Sequence, residues 1–562
     1  MSTYGSAANE TAGVVIDEPL RVTDAAALQW DDVADVVVVG LGGAGAAAAL
    51  EAHERGAEVL VVERFAGGGA TAMSGGVFYA GGTRFQQDAG YLDTAEDMFD
   101  YLSLERKDAV SEATLRQFCV ESADNTEWLV KHGVVFEGSL HRGKTNYPPE
   151  GQFLYFSGNE ASPAFAATAK PAPRGHRTVG KGLTGYAFFG ALKRAMGQST
   201  IRVRQHSRVM RLVVDASGAV LGVETLELPA AAAQRRHQAL YAKVDPVRPF
   251  NAARAEQAID AAVALEQQAG SRVRLRARAG VILSTGGFGY NTAMVRQHLP
   301  RLAGRVGALM RLGSMGCNGS GIQLGCSVGG AVRGLDRAML GRMIAPPNAL
   351  VTGLMVNQQG KRFINEDAYN AVLGNAILQQ PNGDAWIILD RELHRKLLLQ
   401  CIPTGDGTFK SHRLPALLNR LFGGTKRDQT LAGLARKIGV DPATLEMTNQ
   451  TLGTAIEAGA PDPLGKSPDY CRALGAGPYW ALNTSVSNQF AFFVFFTLSG
   501  LQVDERSGAV LRGDGTPIGG LYAAGRTAIG IPADGYISGI SLADCVFSGR
   551  RAGRAAAASR VH

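Results

Sequence analysis

Cysteine is scarce in this sequence, and its positions exclude two kinds of structural site. The six cysteines stand at positions 119, 317, 326, 401, 471 and 545, with no CxxC pair and no Cys/His cluster at metal-ligand spacing. A zinc site or a disulfide framework needs such spacing, so neither is expected. We interpret the cysteines as buried free thiols and expect no bound metal.

Long apolar runs are also missing. No stretch of about 18 consecutive apolar residues occurs, which is the length needed to cross a bilayer. The N-terminus lacks a basic stretch followed by an apolar core, which is the pattern of a secretion signal. We therefore expect a cytoplasmic protein and leave open a peripheral contact with the inner face of the membrane.

Positive charge is in slight excess, but it is not concentrated along the sequence. Lys and Arg number 57 against 50 Asp and Glu, which gives a formal net charge of +7. The basic residues occur in short groups such as 272–278, where they alternate along one face of a predicted strand. Because nucleic-acid binding needs a basic patch, we expect no nucleic-acid partner.

Glycine, in contrast, is abundant, with 71 in 562 residues, and it marks the first recognisable motif. The β-branched run Asp35–Val39 predicts a buried strand, and residues 44–56 predict an alanine-rich helix. Between them, Gly40, Gly42 and Gly45 form a GxGxxG sequence. In this context the spacing indicates a turn that holds a pyrophosphate at the helix N-terminus.

An acidic residue completes this motif. Glu63 follows the next predicted strand, 57–62, and stands eighteen residues after Gly45. A carboxylate at this place can accept a hydrogen bond from a ribose hydroxyl. The sequence therefore predicts an α/β fold with a Rossmann-like dinucleotide-binding domain.

The remaining pattern predicts that the two ends of the chain share this domain. We expect a flexible arm over 1–30, a first part of the domain over 31–292, an inserted α+β capping and catalytic domain over 293–482, and a second part over 483–562. Residues 228–272 are rich in Ala, Gln and Arg and predict a helical insertion. We favour a solvent-facing excursion, and an amphipathic docking surface for a membrane or a partner is the alternative.

A second glycine-rich cluster, Gly67–Gly76, follows Glu63 closely and ends in Ser-Gly-Gly. Further motifs stand at 281–288, 319–325, 360–366 and 519–525. In this order the motifs resemble the flavoproteins that include fumarate reductase flavin subunits and 3-ketosteroid dehydrogenases. The resemblance implies FAD as the cofactor and a Rossmann-like FAD-binding domain with an inserted capping domain.

The resemblance also assigns residues to FAD. In the first loops these are Gly40, Gly42, Gly43, Ala44, Gly45, Glu63, Arg64, Ala70, Thr71, Ser74, Gly75 and Gly76. Later in the chain they are Val209, Thr285, Gly286, Gly287, Gly525, Arg526, Ser541 and Leu542. Arg526 is a departure, since many relatives have at this place a Glu that contacts the ribityl chain. Because no His or Cys near residues 67–83 is placed for the family's histidyl linkage, we expect FAD to be bound non-covalently.

The stretch after Asn365-Glu366 indicates which reaction is carried out. In the fumarate reductase branch, a proton-donating Arg sits four residues beyond the Glu of this pair, whereas here the position is Asn370, preceded by Tyr369. Dicarboxylates need fixed cationic groups, so the loss of this arginine counts against succinate or fumarate. A tyrosine hydroxyl suits a neutral ketone instead.

Another pair of hydroxyls precedes the last predicted helix. Tyr536 and Ser538 are two residues apart on an extended segment and can point to the same side. The alternative interpretation is a packed aromatic ring and a serine that caps the helix. Together with Tyr369, this pattern resembles the 3-ketosteroid Δ4-(5α)-dehydrogenases most.

This resemblance implies that a C=C bond is introduced next to the ketone of a steroid, which needs a base for the C4 proton and a hydride acceptor for C5, namely flavin N5. We assign Tyr369, Tyr536 and Ser538 to proton abstraction, and Gly539 with Tyr536 to the 3-keto oxygen. The alternatives are a Δ1-dehydrogenase, a reductase of another activated alkene such as fumarate or urocanate, and an electron-carrying flavoprotein subunit. The expected partners are a small apolar ketone and an electron acceptor whose identity is open.

Two other features are assigned no chemistry. His176 lies in a polar Gly-His-Arg loop and is interpreted as a surface residue. Residues 325–329 match the GxSxG pattern of hydrolases. Because no predicted strand leads into this match, as a nucleophile elbow requires, we interpret it as fortuitous.

Overall fold

The structure is a computed structural model that describes residues 16–24, 28–244, 249–405, 407 and 409–560. Its largest sheet has nine strands. In sheet order, seven of them are Leu20–Arg21, Ser207–Val214, Val220–Glu227, Ser271–Leu283, Asp32–Val39, Val59–Val62 and Arg202–Arg204. Pro517–Ala523 also pairs with Ser271–Leu283, and Ala509–Leu511 pairs with Pro517–Ala523. Because strands from both ends of the chain form one sheet, the predicted α/β Rossmann-like fold is confirmed.

The two ends of the chain are also joined by a pair of closely packed helices. Gly43–Glu54 packs along Ile540–Ala558, and the alanines of the first helix are buried. A Cβ atom added at Gly549 or Gly553 would lie 2.5 Å from a backbone oxygen of the first helix. The two backbones can approach this closely only because the facing residues are small.

The start of the described chain differs from the predicted flexible arm. Leu20–Arg21 pairs in parallel with residues 213–214, and the Asp17 amide donates to the Met210 carbonyl at 2.8 Å. This segment is therefore attached to the edge of the large sheet. Residues 1–15 of the predicted arm lie outside the described residues.

The capping region has a sheet of its own. Its four antiparallel strands, in sheet order, are Leu354–Val356, Trp386–Leu389, Tyr479–Asn483 and Lys426–Asp428. A three-stranded sheet of Met310–Arg311, Phe493–Thr497 and Ala338–Arg342 joins this region to the later part of the chain. Its central strand falls in the predicted second part of the FAD-binding domain but pairs with strands of the predicted capping domain. The domain division at residues 292 and 482 therefore stays a prediction.

A further four-stranded sheet lies under the last helix. Its strands are Val77–Tyr79, Gly175–Arg177, Leu154–Tyr155 and Leu140–His141, and Val332–Arg333 pairs separately with Gly500–Leu501. His176 lies in this sheet with no solvent exposure, and its ring contacts the Thr83 hydroxyl at 2.8 Å. The prediction of a surface histidine was wrong, because the loop pattern hid a buried strand.

The predicted insertion folds into two helices, Ala231–Ala242 and Ala252–Ala269. Eighteen further helices complete the described part of the chain: Gly69–Met73, Arg84–Asp88, Ala95–Glu105, Glu112–Val120, Ser122–Lys131, Pro163–Ala166, Gly185–Gly197, Thr292–His298, Pro300–Ala303, Ser320–Ser327, Ala349–Thr352, Asn370–Gln379, Arg391–Gln400, Leu414–Phe422, Leu431–Ile438, Pro442–Glu457, and the packed pair Gly43–Glu54 and Ile540–Ala558. None of the helices among the described residues has the length and apolar character required to cross a bilayer.

Candidate active site

One cavity of about 640 Å³ is lined both by loops of the large sheet and by residues of the capping region. The sheet contributes the loops that follow the strands Asp32–Val39 and Ser271–Leu283. These loops lie at the carboxyl ends of parallel strands, where open α/β sheets bind their ligands. The volume is within the usual range of cofactor and substrate sites.

The GxGxxG turn opens onto this cavity. Gly40 has a left-handed φ of +97°, and a Cβ atom there would lie 2.8 Å from the Ser284 carbonyl oxygen, so glycine is required. The next helix begins at Gly43, whose amide donates to the Thr71 hydroxyl at 2.9 Å. A glycine-lined helix N-terminus of this kind fits the pyrophosphate of FAD.

Glu63 lies beside this turn at the end of its strand. Its carboxylate accepts hydrogen bonds from the Leu41 amide at 2.6 Å and the Phe65 amide at 2.8 Å. Burial raises the pKa of Glu63, while these two hydrogen bonds and the nearby Arg64 lower it in part. The carboxylate is thus held rigidly on the cavity surface, where it can accept from a ribose hydroxyl.

Most of the predicted site residues come together around the cavity. Those that line it are Gly40, Gly42, Gly43, Ala44, Glu63, Ala70, Thr71, Ser74, Gly75, Thr285, Gly286, Gly525, Arg526, Ser541, Leu542, Tyr369, Tyr536, Ser538 and Gly539. Five predicted FAD residues are not among the lining residues, namely Gly45, Arg64, Gly76, Val209 and Gly287.

Three of these five are glycines that allow close packing behind the cavity. A Cβ atom on Gly45, Gly76 or Gly287 would lie 2.0, 2.5 or 2.2 Å from a neighbouring atom. Any larger residue would therefore displace the loops that carry the lining. Their structural contribution is to packing rather than to the cavity surface.

Arg64 and Val209 are also directed elsewhere. Val209 packs within the core of the large sheet. The Arg64 guanidinium forms an ion pair with Glu266 of the insertion, with Nε 2.7 Å from the carboxylate. Burial alone would raise the pKa of Glu266. The charges of Arg64 and Arg208 and a hydrogen bond with His237 outweigh this effect and hold the pKa below its ordinary value. Arg64 thus anchors the insertion.

The insertion contributes to the cavity wall. Tyr241 and Phe250 both line the cavity, and the His237 ring stacks on Phe65 with their centroids 4.7 Å apart. The favoured interpretation of a solvent-facing excursion was therefore wrong. The helices bury a small apolar face that was inconspicuous in the sequence because alanine supplies much of it.

The last helix also begins at the cavity. Its N-cap, Gly539, has a φ of +93°, and a Cβ atom there would lie 2.9 Å from the Tyr79 amide nitrogen. Ser541 and Leu542 in the first turn line the cavity. The positive end of this helix is suited to stabilise negative charge on a bound group.

Hydroxyl groups from three segments meet just before this helix. The Tyr155 hydroxyl donates to the Ser538 Oγ at 3.0 Å, and the Ser157 hydroxyl donates to the Ser538 carbonyl at 3.0 Å. The rings of Tyr369 and Tyr536 have their centroids 6.4 Å apart. The three residues predicted to be catalytic are thus neighbours, although Tyr369 is distant in sequence from Tyr536 and Ser538.

Burial controls the proton affinity of these hydroxyls. It raises the pKa of Tyr155 and holds that of Tyr369 well above its ordinary value, although Ser538 lowers both by hydrogen bonding. Burial also raises the pKa of Tyr536 to about 12, while the nearby Arg526 lowers it. All three tyrosines are therefore protonated near neutral pH and can donate hydrogen bonds.

Two residues of this group were missed from the sequence. Tyr155 and Ser157 lie at the end of the short strand Leu154–Tyr155 and in the loop after it, and both hold Ser538. Asn159 in the same loop accepts a hydrogen bond from the Tyr369 amide at 2.7 Å. No motif marks this segment, so only the fold brings it to the site.

The remainder of the cavity is largely apolar. Met339, Met343, Phe492 and Phe496 are among its lining side chains, and Phe496 meets Tyr536 edge to face with centroids 5.0 Å apart. Among lining residues within the described ranges, the permanent positive charges are those of Lys410 and Arg526. The Arg526 guanidinium lies 5.0 Å from the centre of the Phe496 ring.

Comparisons with known proteins agree with this geometry. The 3-oxo-5-alpha-steroid 4-dehydrogenase of Comamonas testosteroni is 38% identical over 518 residues, which cover 91% of this chain and 96% of that protein. The solved 3-ketosteroid-delta4-(5alpha)-dehydrogenase of Rhodococcus jostii, in complex with 4-androstene-3,17-dione, is 30% identical with a TM-score of 0.79 and covers 96% of this chain and 100% of its own. The solved 3-ketosteroid delta1-dehydrogenase of Sterolibacterium denitrificans shares the fold. It is 20% identical, with a TM-score of 0.65, and the match covers 94% of this chain and 100% of its own.

A family model is matched along most of the chain. The model describes an FAD binding domain, and it matches residues 35–539. The match spans both the glycine-rich turn and the segment before the last helix. The resemblance inferred from the motifs is thereby confirmed, as is FAD as the cofactor. The chain belongs to the family of flavoprotein oxidoreductases that share this FAD-binding domain.

Proposed function

We propose that this protein is an FAD-dependent 3-ketosteroid Δ4-(5α)-dehydrogenase, which converts a saturated 3-ketosteroid into its 4-ene. The observation that carries the proposal is the placement of Ser538, held by Tyr155, beside Tyr369 and Tyr536 at the N-terminus of the last helix. The Comamonas and Rhodococcus relatives, which have names of this type, give it further support.

The character of the cavity supports an apolar ketone. Around Tyr536 the wall is formed by side chains such as Phe492, Phe496 and Met343. A dicarboxylate would need several fixed cationic forks, whereas the fumarate reductase arginine is replaced by Asn370. A steroid with one or two keto groups needs a long apolar wall and few hydrogen-bond donors.

The hydroxyl groups have distinct parts in the proposed reaction. Bound FAD supplies the hydride acceptor for the hydrogen at C5. Ser538 takes the proton from C4 while its own proton passes to the neighbouring Tyr369, which releases its hydroxyl proton to solvent, and the electron pair of the C4–H bond forms the C4=C5 bond. Tyr155 donates to the Ser538 oxygen throughout and holds it in position.

The 3-keto oxygen gains negative charge as the C4 proton leaves. We assign its binding to the Tyr536 hydroxyl and the Gly539 backbone. Because burial keeps Tyr536 protonated at neutral pH, its hydroxyl can donate to the oxygen in both the ketone and the enolate-like state. A donor that strengthens as charge develops lowers the barrier to proton removal.

The location and partners of the protein are proposed as well. We propose a cytoplasmic enzyme in peripheral contact with the membrane, which passes its electrons to an acceptor of unspecified identity. The division into an FAD-binding domain over 31–292 and 483–562 and a capping domain over 293–482 belongs to the same proposal.

Anaerobic bleaching of the flavin's visible absorbance tests the function. The holoenzyme is mixed separately with a saturated 5α-3-ketosteroid, a 4-ene-3-ketosteroid and succinate. Rapid bleaching by the 5α-steroid alone is expected. Bleaching by the 4-ene steroid alone would move the chemistry to C1 and C2, and no bleaching by either steroid would refute a steroid substrate.

A further inference from the structure

One helix of the capping region carries an apolar stripe from the cavity out to solvent. On the helix Leu414–Phe422, the residues Leu414, Leu418, Leu421 and Phe422 are spaced at i, i+4, i+7 and i+8 and share one face. Leu414 and Leu418 line the cavity. Leu421 and Phe422, in contrast, are 64% and 63% exposed. The stripe therefore continues beyond the cavity wall onto the outer surface.

Two further aromatic residues extend this surface around the cavity entrance. The Phe422 and Phe490 rings have centroids 6.0 Å apart, and Phe490 and Phe250 have centroids 5.3 Å apart. Phe250 and Phe490 both line the cavity, and Phe250 is 61% exposed. We call Phe250, Leu421, Phe422 and Phe490 the entrance rim.

The entrance rim is built from three segments that are distant in sequence. Phe250 belongs to the insertion, Leu421 and Phe422 to the capping region, and Phe490 to the loop before Phe493–Thr497. Isolated exposed apolar side chains are common on protein surfaces. A contiguous group that surrounds the opening of an apolar cavity marks a binding surface.

The expectation that positive charge is scattered along the sequence does not hold for the segment that carries the stripe. Residues 391–427 contain eight Lys and Arg against two Asp and Glu, a net charge of +6 by difference, whereas the whole chain has a net charge of +7. Lys410 lies on the cavity wall and Arg413 directly precedes the helix, whereas Arg420 lies on the opposite face of the helix, where its Nε donates to the His394 ring at 2.8 Å. An apolar face with flanking Lys and Arg is the pattern of helices that bind to the interface of anionic membranes.

We propose that the entrance rim docks on the surface of an anionic lipid bilayer, with Leu421 and Phe422 inserted among the headgroups and the cavity open toward the lipid. The reason for this orientation rests on the proposed function, because an apolar steroid resides in the lipid phase and would enter the cavity directly from it. The docking itself depends only on the apolar rim and its cationic surroundings.

Vesicle flotation of the FAD-loaded protein tests the docking. The protein is mixed with vesicles of phosphatidylcholine, or of phosphatidylcholine with phosphatidylglycerol, and the floated fraction is measured at low and high salt. Flotation with the anionic vesicles, weakened by salt, is expected because screening reduces the electrostatic attraction. The double variant Leu421→Ser, Phe422→Ser should bind about ten-fold or more weakly, since two apolar insertions are lost.

A matched control removes exposed apolar side chains outside the entrance rim. Leu92 and Val120 are 75% and 64% exposed, and the double variant Leu92→Ser, Val120→Ser should float as the unmodified protein does. Equal flotation of the rim variant and the unmodified protein would overturn the proposal, as would no flotation with anionic vesicles. The proposal would also be overturned if the protein is a dimer in the absence of lipid and the rim variant is a monomer, because a second copy would then cover the rim.

The same variant separates this inference from the proposed function. Flavin bleaching by a 5α-steroid dissolved in buffer should keep its rate in the Leu421→Ser, Phe422→Ser protein, because neither side chain lines the cavity. When the steroid is supplied in vesicles, the bleaching rate of the variant should fall in line with its smaller floated fraction. If the protein floats but no steroid bleaches the flavin, the proposed substrate is refuted while the docking surface stands.

Discussion

The hydrogen bond from Tyr155 to Ser538 gives a quantitative test of the proposed proton transfer. In Tyr155→Phe the donor at 3.0 Å from the Ser538 oxygen is lost while the ring remains. A hydrogen bond to an oxygen that develops charge contributes about 1.5–3 kcal/mol. Flavin reduction should therefore slow by about 10- to 150-fold, since each 1.36 kcal/mol is a factor of ten.

Substrate binding should change much less than the rate. Tyr155 is fully buried and is not among the residues that line the cavity, so its hydroxyl stabilises the transferring state rather than the bound ketone. Anaerobic stopped-flow measurement over a range of 5α-steroid concentrations separates the limiting reduction rate from the apparent Kd. The rate should fall, and the Kd should stay within a few-fold of its original value.

The chain offers a closely matched control. Tyr522 is another buried tyrosine whose hydroxyl lies 2.9 Å from a serine hydroxyl, that of Ser559, but neither residue lines the cavity. Tyr522→Phe removes a tyrosine–serine hydrogen bond of similar length outside the cavity and should leave the reduction rate unchanged. A similar slowing in both variants would assign the effect to lost stability.

A double-mutant cycle makes the test specific to the pair. If Tyr155 acts through Ser538, then Tyr155→Phe should have little further effect once Ser538→Ala has been introduced. Fully additive effects of the two substitutions on the reduction rate would refute the reasoning. So would an unchanged rate in Tyr155→Phe alone.

Three further predictions concern the cofactor and the scaffold. Acid or urea should release all flavin absorbance into a protein-free filtrate, because FAD is expected to be non-covalent; flavin retained on the denatured chain would contradict this. Burial lowers the pKa of His176 to about 4, so its contribution to stability is complete above pH 6.5 and is lost as the pH falls toward 4. The free energy of unfolding, measured in urea at pH 7 and pH 5, should therefore fall less on acidification in His176→Asn than in the unmodified protein, by about 1.4 kcal/mol per pH unit. Equal falls in the two proteins would refute the assignment to His176. Gly549→Ala should lower the free energy of unfolding by about 1–3 kcal/mol, because its Cβ would lie 2.5 Å from the Ala44 oxygen. Gly190→Ala, in the helix Gly185–Gly197, has space for its Cβ and should raise the free energy of unfolding slightly. A loss of stability at Gly190 as large as that at Gly549 would contradict the packing argument.

The cofactor half of the site could be predicted because its geometry is local. Gly40 and Glu63 are separated by one βα unit, and the chemistry of pyrophosphate and ribose fixes both residue types and spacing. Gly45 was assigned to the same motif, but its contribution in the structure is to helix packing. A motif therefore identifies the turn more reliably than it identifies which of its residues reach the ligand.

The substrate half depends on contacts that no local pattern records. Tyr155 and Ser538 are 383 positions apart, and the strand that ends at Tyr155 has only two residues. The insertion was misjudged for a related reason, since Tyr241 and Phe250 are single aromatic residues in alanine-rich or irregular surroundings. A side chain without periodicity around it acquires a role only from the neighbours that the fold brings to it.

Burial also restricts the catalytic roles of the individual hydroxyl groups, which the sequence left open. An exposed tyrosine with an ordinary pKa could be considered as a proton acceptor, but burial raises the pKa of Tyr155, Tyr369 and Tyr536 alike. None of them can lose its proton readily near neutral pH, so each acts as a donor or as one step of a relay. In the proposed mechanism the C4 proton is accepted at Ser538, the oxygen toward which Tyr155 donates. This assignment predicts that Ser538 is the residue of the cluster least tolerant of substitution.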